Sequence, residues 1–184
     1  MNNKLIIILF SFLTLFMLFV VFKYYLKEIS LNKMMKMAVV AAIYAIITMG
    51  LAPISYGPIQ FRISEVMVLL AFIDPLYVPG LVLGCVIANI TSPLGIVDVF
   101  FGSFATTISL FMITKSKNVI ISSLWPAIFN GVILGLEFTL LTNAPFIATA
   151  LYIALGEFVV VTILGSTILK VILSKKHIVD QLRL

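Results

Sequence analysis

Long runs of apolar residues without a single charge dominate this sequence. Residues 5–22 and 37–61 contain no charged residue at all. A membrane-spanning helix needs about 20 consecutive, mostly apolar residues, so each run is long enough for one. The chain is 62% hydrophobic and only 10% charged, whereas a soluble domain carries about 25% charged residues. The sequence therefore predicts one integral membrane domain.

Turn signals divide the remaining apolar sequence into further helices. Asp74 precedes Pro75 and is expected to be a turn residue between two short spans, because proline disfavours helix at the residue before it. Residues 142–145 divide a stretch that is too long for one helix. The prediction is an all-α membrane bundle of six helices, beginning near residues 37, 65, 76, 98, 119 and 146, with an additional hydrophobic helix at the N-terminus.

The basic residues predict how this bundle is oriented. Ten of the twelve lysines and arginines lie between the N-terminal hydrophobic run and the first of the six spans, between the fourth and fifth spans, or after the sixth. In a six-span topology these places share one side, which the positive-inside rule makes cytoplasmic. We therefore expect a multi-pass cell-membrane protein with a cytoplasmic C-terminus. Residues 1–36 form a hydrophobic helix and basic linker, residues 37–173 the six-helix domain, and residues 174–184 a tail.

Few ionisable residues lie within or beside the predicted spans. Such residues cost about 2.5–3.5 kcal/mol near the centre of a spanning helix, so those present are functional candidates. One cation against four carboxylates favours a neutral or cationic ligand that is rich in hydrogen-bond donors. The five residues are Arg62, Glu65, Asp98, Glu137 and Glu157.

Further polar and aromatic residues lie beside these charges. Asn130 is seven residues before Glu137, which places both on one face of a helix. Asn89 precedes the outer loop that leads to Asp98. Tyr56, Gln60 and Phe61 come directly before Arg62 and supply two aromatic rings and an amide. Together these residues predict a ligand site toward the outer side of the bundle.

Several of these residues also have a purely structural interpretation. Arg62 and Glu65 are spaced for an ion pair at the membrane rim, and Asp98 is placed to cap the N-terminus of a helix. Gly131 and Gly135 suit close packing between helices as well as approach to a ligand. A buried carboxylate needs a partner, so Glu137 and Glu157 are the hardest to explain without a ligand.

The chain lacks the signatures of several other classes of protein. Its single cysteine, Cys85, excludes a disulfide framework, and its single histidine, His177, lies in the polar tail. It contains no phosphate-binding loop of the P-loop type and no His-Glu-x-x-His motif. No enzyme activity, catalytic residue, metal or cofactor is therefore expected, and no nucleic-acid partner.

Two long segments resemble one family of membrane transporters. Residues 52–65, APISYGPIQFRISE, and residues 84–102, GCVIANITSPLGIVDVFFG, resemble the QueT-type (queuosine-precursor) S components of energy-coupling-factor (ECF) transporters. The likeness extends from Ala38 to about Leu173 and includes Pro126 and the Asn130-Gly131 and Gly156-Glu157 pairs. The N-terminal hydrophobic run lies outside it.

This resemblance implies a six-helix substrate-binding S component that works with partners. Such a component captures one micronutrient and associates with a transmembrane T component and two ATPase subunits. The implied substrates are 7-deazaguanines with a 7-cyano or 7-aminomethyl group, or queuine. The family's first helix packs against the T component through small residues, and the matching positions here are Ala38, Ala41, Ala42 and Ala45.

The predicted polar residues suit such a base. A guanine-like edge offers an N–H and an amino group side by side, which a carboxylate accepts through strong charge-assisted hydrogen bonds. The candidates are Glu137 or Glu157 for this edge, Asn130 or Asn89 for the carbonyl, Glu65 or Asp98 for a cationic aminomethyl group, and Tyr56, Phe61 or Trp125 for stacking on the ring.

Three other functions are compatible with the sequence. The nearest is an S component for another vitamin or a purine, which would share the same fold. A membrane scaffold subunit without a ligand and an intramembrane enzyme acting through carboxylates are the others. Ligand binding separates the first from the scaffold, and substrate turnover would identify an enzyme.

Overall fold

Helices joined by short loops form the whole bundle. The computed structural model describes residues 3–27, 29–57 and 59–183, and no strand occurs among these residues. One helical turn, Ala52–Ser55, follows the second helix. The helices are α1 (Asn3–Tyr25), α2 (Leu31–Gly50), α3 (Ile63–Ile73), α4 (Pro75–Asn89), α5 (Ile96–Lys115), α6 (Val119–Thr142), α7 (Phe146–Leu173) and α8 (Lys176–Leu182).

Five of these helices, α1, α2, α5, α6 and α7, are long and apolar enough to cross a membrane. Helices α3 and α4 are shorter apolar helices, as the Asp74-Pro75 turn predicts. The prediction of an all-α membrane bundle, with six core helices and one additional N-terminal helix, is confirmed. Helix α2 begins at Leu31 and not near residue 37, because its helical hydrogen bonds continue beyond the apolar run through Lys33 and Lys36.

The loops fall into two groups at opposite ends of the bundle. The loop end carries residues 51–62, 90–95 and 143–145, and there the Tyr56 hydroxyl donates to the carbonyl oxygen of Ala88 over 2.6 Å. The basic end carries residues 116–118 and helix α8, and there the Tyr77 hydroxyl donates to the carbonyl oxygen of Leu182 over 2.5 Å. Asp74 lies in the turn at this end, where its carboxylate accepts from the N–H of Leu76.

Small residues let α2 and α4 pack closely. A Cβ added at Gly80 would lie 2.6 Å from the carbonyl oxygen of Met37, and one added at Gly84 would lie 2.9 Å from that of Ala41. Ala41 and Ala45 are buried inside the chain. Ala38 and Ala42 lie on the exposed face of α2. The structure thus divides the four alanines between an internal and an external face.

Glycines also bring α6 and α7 together. A Cβ added at Gly131 would lie 2.9 Å from the Cβ of Ala154, and one added at Gly135 would lie 2.9 Å from the Cβ of Ala150. Packing therefore explains both glycines, in agreement with their structural interpretation. The close contact fixes the position of α7, which carries Glu157, relative to α6, which carries Glu137.

Helix α1 packs on the outside of the six-helix core. The ring of Phe10 stacks on Phe101 of α5 with centroids 4.3 Å apart. The buried Thr14 hydroxyl donates to the carbonyl oxygen of Phe100 over 2.9 Å, and Asn3 donates to the carbonyl oxygen of Leu140. These contacts place the start of α1 at the loop end. The additional helix is thus an integral part of the bundle in this structure.

Candidate functional site

Polar side chains from five helices and one loop meet inside the bundle, toward the loop end. Eight of the ten residues predicted to bind a ligand are at most 3% exposed, and Tyr56 and Phe61 are half-buried. A set of this kind is unusual, because buried polar groups are normally satisfied by partners in the protein. The eight are Gln60, Arg62, Glu65, Asn89, Asp98, Asn130, Glu137 and Glu157.

A glycine on α7 places the loop that carries Gln60 and Arg62. A Cβ added at Gly156 would lie 2.5 Å from the carbonyl oxygen of Gln60 and 2.8 Å from its carbonyl carbon. The loop backbone therefore lies directly against α7, one residue before Glu157. This contact brings the cation of the loop next to the carboxylate of the helix.

Arg62 forms an ion pair with Glu65, but in the interior and not at the rim. Its Nη1 lies 4.0 Å from Glu65 Oε1, and both side chains are fully buried. Glu65 also accepts a hydrogen bond from the hydroxyl of Tyr44. None of the three guanidinium nitrogens has a hydrogen-bond acceptor within the described residues. The predicted ion pair therefore exists but leaves most of the donors of Arg62 free.

Asn130 and Glu157 form a second pair across α6 and α7. The amide nitrogen of Asn130 donates to Glu157 Oε1 over 2.8 Å. The amide oxygen of Asn130 and the second carboxylate oxygen of Glu157 are buried and have no donor in the described part of the chain. This pair thus presents two free acceptors beside the Arg62 loop.

Asp98 and Glu137 bring two carboxyl groups together. Gly95, with φ 64°, occupies the N-cap of α5, and Asp98 lies in the first turn with its carboxyl group against that of Glu137. The interpretation of Asp98 as the N-cap is therefore wrong. Apart from this contact with Asp98, neither oxygen of Glu137 has a hydrogen-bond partner within residues 3–27, 29–57 and 59–183.

Asn89 lies behind this carboxyl pair. Its amide nitrogen donates to the carbonyl oxygen of Asp98 over 3.3 Å and to the sulfur of Cys85 over 3.4 Å. Gly102 provides the space, because a Cβ there would overlap this amide nitrogen. Asn89 therefore supports the backbone of Asp98, and its amide oxygen lacks a described partner.

A small cavity of about 60 Å³ opens above these groups at the loop end. Gln60 and Asp98 belong to both the cavity and the polar cluster, so the cavity borders the cluster on the side of the loop end. Larger grooves, of about 550 and 570 Å³, lie on the outside of the bundle and are mostly apolar. The residues that line the small cavity are Tyr56, Gln60, Ser92, Pro93, Leu94, Asp98 and Phe138.

Trp125 lies toward the basic end of α6, on the far side of Asn130 from Glu137. Its ring stacks on Phe129, and its indole N–H donates to the hydroxyl of Ser116, which follows α5 at the basic end. Twelve residues separate it from Glu137 on α6, which is about 18 Å along a helix. Stacking by Trp125 stays a prediction that this position does not favour, because aromatic character alone does not distinguish the two ends of a long helix.

Sequence reasoning also missed two polar residues that support the site. Tyr44 of α2 holds Glu65, and Thr106 of α5 lies against the same carboxylate. A signal for Tyr44 was present: it is three residues from Ala41, on the face of small residues that packs inward. Nothing in the sequence marked Thr106 among the other hydroxyl residues of its helix.

Comparison with known proteins identifies the family of this chain. Residues 34–174 match the family described as QueT transporter. The chain belongs to the QueT transporter family. The match contains every residue of the buried polar cluster and excludes α1. No solved structure matches the chain.

One relative of this QueT family member is a "Queuosine precursor transporter QueT" from Lactococcus lactis subsp. cremoris. The two chains are 37% identical over 137 residues, which cover 66% of this chain and 80% of the relative. The family and the apolar helices together make the chain a multi-pass membrane transporter. The absence of enzyme activity stays a prediction.

Proposed function

We propose that this QueT family member is the S component of an ECF importer and captures a 7-deazaguanine precursor of queuosine. The observation that carries the proposal is the imbalance within the buried cluster. The free groups of Gln60, Glu137 and Glu157 are acceptors, whereas Arg62 alone offers free charged donors among the described residues. A ligand with several N–H groups and one carbonyl complements this set.

Glu157 and Arg62 are the residues best placed for the guanine-like edge. This edge presents an amino group, a ring N–H and a carbonyl in a row. Glu157 has a free oxygen to accept from the two N–H groups, and Arg62 has free donors for the carbonyl. The amide nitrogen of Asn89 already donates twice within the protein, and that of Asn130 donates one of its two N–H groups to Glu157. Arg62, whose three nitrogens have no acceptor among the described residues, is therefore the proposed carbonyl contact.

Tyr56 is the proposed stacking residue. Its ring lines the small cavity, and the guanidinium carbon of Arg62 lies 5.5 Å from the ring centroid. A base whose edge contacts Arg62 would therefore lie close to this ring. Stacking of an aromatic side chain on a base contributes about 1–3 kcal/mol. Phe61 is half-buried and packs against the hydrophobic core, which makes it the weaker candidate.

The first test is direct binding to the full chain in detergent. We expect at least one of the 7-cyano base, the 7-aminomethyl base and queuine to raise the melting temperature, with riboflavin as the negative control. A ligand at 100 times its Kd stabilises the folded state by about 2.7 kcal/mol. Calorimetry then gives the affinity. Folded protein that responds to none of the three bases would exclude the proposed substrate class.

The same experiment tests the proposed role of Glu157. Replacing Glu157 with glutamine substitutes an amide for a charged acceptor, and we expect binding of all three bases to weaken about 10- to 100-fold. Asp180→Asn is the matched control, since Asp180 is exposed on α8 at the opposite end of the bundle. An unchanged affinity in Glu157→Gln would show that Glu157 does not bind the guanine-like edge of the ligand.

The basic end is the proposed cytoplasmic side. Ten of the twelve basic residues belong to it by topology, in line with the positive-inside rule. The small cavity then faces outward, where a nutrient would be captured. This orientation gives the proposed T component and two ATPase subunits access to the basic end, and it leaves the C-terminus in the cytoplasm.

The exposed face of α2 is the proposed contact with the T component. Ala38 and Ala42 lie on this face and allow a partner helix to approach closely, whereas Ala41 and Ala45 are used inside the chain. We expect Ala42→Trp to abolish uptake into cells while the purified variant still binds ligand. Ile147→Trp, at an exposed position of α7, is the control. Normal uptake by Ala42→Trp would place the contact elsewhere.

An S component for a purine such as guanine is the second candidate. It is favoured by the same free acceptors, because the edge of guanine carries the same donors as that of a 7-deazaguanine. Guanine therefore belongs in the binding panel, and a preference for it would reassign the substrate. A ligand-free scaffold would leave so many buried groups without partners that we rank it below both transport functions.

A further inference from the structure

We propose that Asp98, Glu137 and Gln60 bind an ammonium group on the ligand and make the site specific for a base with a cationic substituent. The inference rests on the proposed function and selects among its substrates. It assigns the 7-substituent to one part of the buried cluster. A 7-aminomethyl base carries such an ammonium, whereas a 7-cyano base does not.

Among the described residues, the Asp98–Glu137 pair has no cation to itself, because Arg62 interacts with both of its carboxyl groups but also with Glu65 and Glu157. Both carboxyl groups are almost fully buried and lie against each other. Buried charges require a partner of opposite sign, and two adjacent carboxylates repel one another. Apart from Asp98, Glu137 has no hydrogen-bond partner among the residues that the structure describes. A cation between the two carboxylates would satisfy both.

Gln60 supplies an independent indication of a ligand at the same place. It is 3% exposed, lines the small cavity with Asp98, and its amide oxygen has no donor in the described ranges. An ammonium group has three N–H donors and no acceptor. Carboxylates of Asp98 and Glu137 and the amide oxygen of Gln60 provide three acceptors for these donors.

The polar groups of the cluster are arranged in the same order as the groups of the ligand that they would bind. The loop that carries Arg62 lies against α7 one residue before Glu157, and the guanidinium carbon of Arg62 lies 5.5 Å from the ring of Tyr56, which lines the small cavity together with Asp98. Arg62 therefore has Glu157 on one side and the cavity on the other. Glu157 is held by Asn130, and Asn130 and Glu137 are seven residues apart, which is about 10 Å along α6. In a 7-substituted base the order is amino and ring N–H, then carbonyl, then substituent. Glu157, Arg62 and the Asp98–Glu137 pair present their partners in that order.

Glu65, the other carboxylate predicted to contact an aminomethyl group, is already engaged. It accepts a hydrogen bond from Tyr44 and pairs with Arg62. It also lies against Thr106. These contacts fix Glu65 as a support for Arg62, so the specificity for a cation is assigned to Asp98 and Glu137.

The test compares three bases that share the guanine-like edge: 7-aminomethyl-7-deazaguanine, its 7-cyano analogue and unsubstituted 7-deazaguanine. The full chain in detergent is expected to bind the aminomethyl base about 10- to 100-fold more tightly than the other two, since hydrogen bonds to charged groups are the stronger kind. The double variant Asp98→Asn, Glu137→Gln keeps the shape of both side chains. We expect it to lose this preference, so that the ratio of its affinities for the aminomethyl and cyano bases falls to about one.

Each outcome decides between the inference and its alternatives. Equal binding of the aminomethyl and cyano bases by the parent chain would overturn the inference, because Asp98 and Glu137 would then share a proton and would not bind a cation. The proposed function would stand. A parallel loss of all three bases in the double variant would also overturn it, since the pair would then contact the shared ring. Failure of every base to bind would overturn the proposed function as well.

Discussion

Arg62→Ala is expected to lower stability by about 3–5 kcal/mol and to abolish ligand binding. The guanidinium is 1% exposed and interacts with the carboxylates of Glu65, Asp98 and Glu137. Its removal leaves buried carboxylates without their charged partner. It also removes the free donors proposed to hold the carbonyl of the ligand. The melting temperature of the purified variant without ligand measures the first effect.

Arg62→Lys separates charge from geometry. Lysine keeps the positive charge, so this variant is expected to stay folded, but it lacks the planar fork and should bind the base poorly. Arg183→Ala is the matched control, because Arg183 is exposed near the C-terminus. Near-normal stability of Arg62→Ala would mean that the carboxyl groups are protonated when Arg62 is absent. Tight binding by Arg62→Lys would show that the planar guanidinium is not required to bind the base.

Gly156→Ala is expected to destabilise the chain by about 1–3 kcal/mol, the usual cost of overpacking, and to weaken ligand binding. The added Cβ would meet the backbone of Gln60 at 2.5 Å, and backbone atoms cannot move aside as a flexible side chain can. The loop must therefore shift, and with it Gln60 and Arg62. Melting temperature and ligand affinity, measured on the same sample, report the two effects.

Gly50→Ala is the control for this substitution. Gly50 ends α2 at the same loop end, and a Cβ there meets no atom within 4 Å. We expect this variant to match the parent chain in both measurements. Parent-like affinity in Gly156→Ala would show that the position of the loop does not set the geometry of the site.

The helices were predictable from the sequence because apolar length and turn residues determine them. Asp74 and Pro75 mark the boundary between α3 and α4 in both sequence and structure. The start of α2 was not predictable, since hydropathy marks the part of a helix in lipid and not the turns that continue into water. The π-helical segment Phe158–Gly165 within α7 also has no sequence signal, because its apolar residues suit an ordinary helix equally well.

The members of the site were largely predictable, but their contacts were not. Charge within an apolar chain is enough to single out Glu137 and Glu157. The sequence could not show that the Asn130 amide donates to Glu157, which leaves only one of its two N–H groups for the proposed ligand. Nor could it show that Arg62 is buried, since a residue in a loop beside Pro58 gives no indication of depth.

The π-helical segment of α7 bears on how relatives of this chain should be aligned. It begins at Phe158, directly after Glu157, so the two halves of α7 do not share one continuous helical phase. Such segments are found mostly as short bulges inside α-helices and frequently occur at functional sites. In a relative whose helix is regular, an ungapped alignment would pair residues that point in different directions. A gap placed at residues 158–165 would keep both the Gly156-Glu157 pair and the packing face of the second half in correspondence.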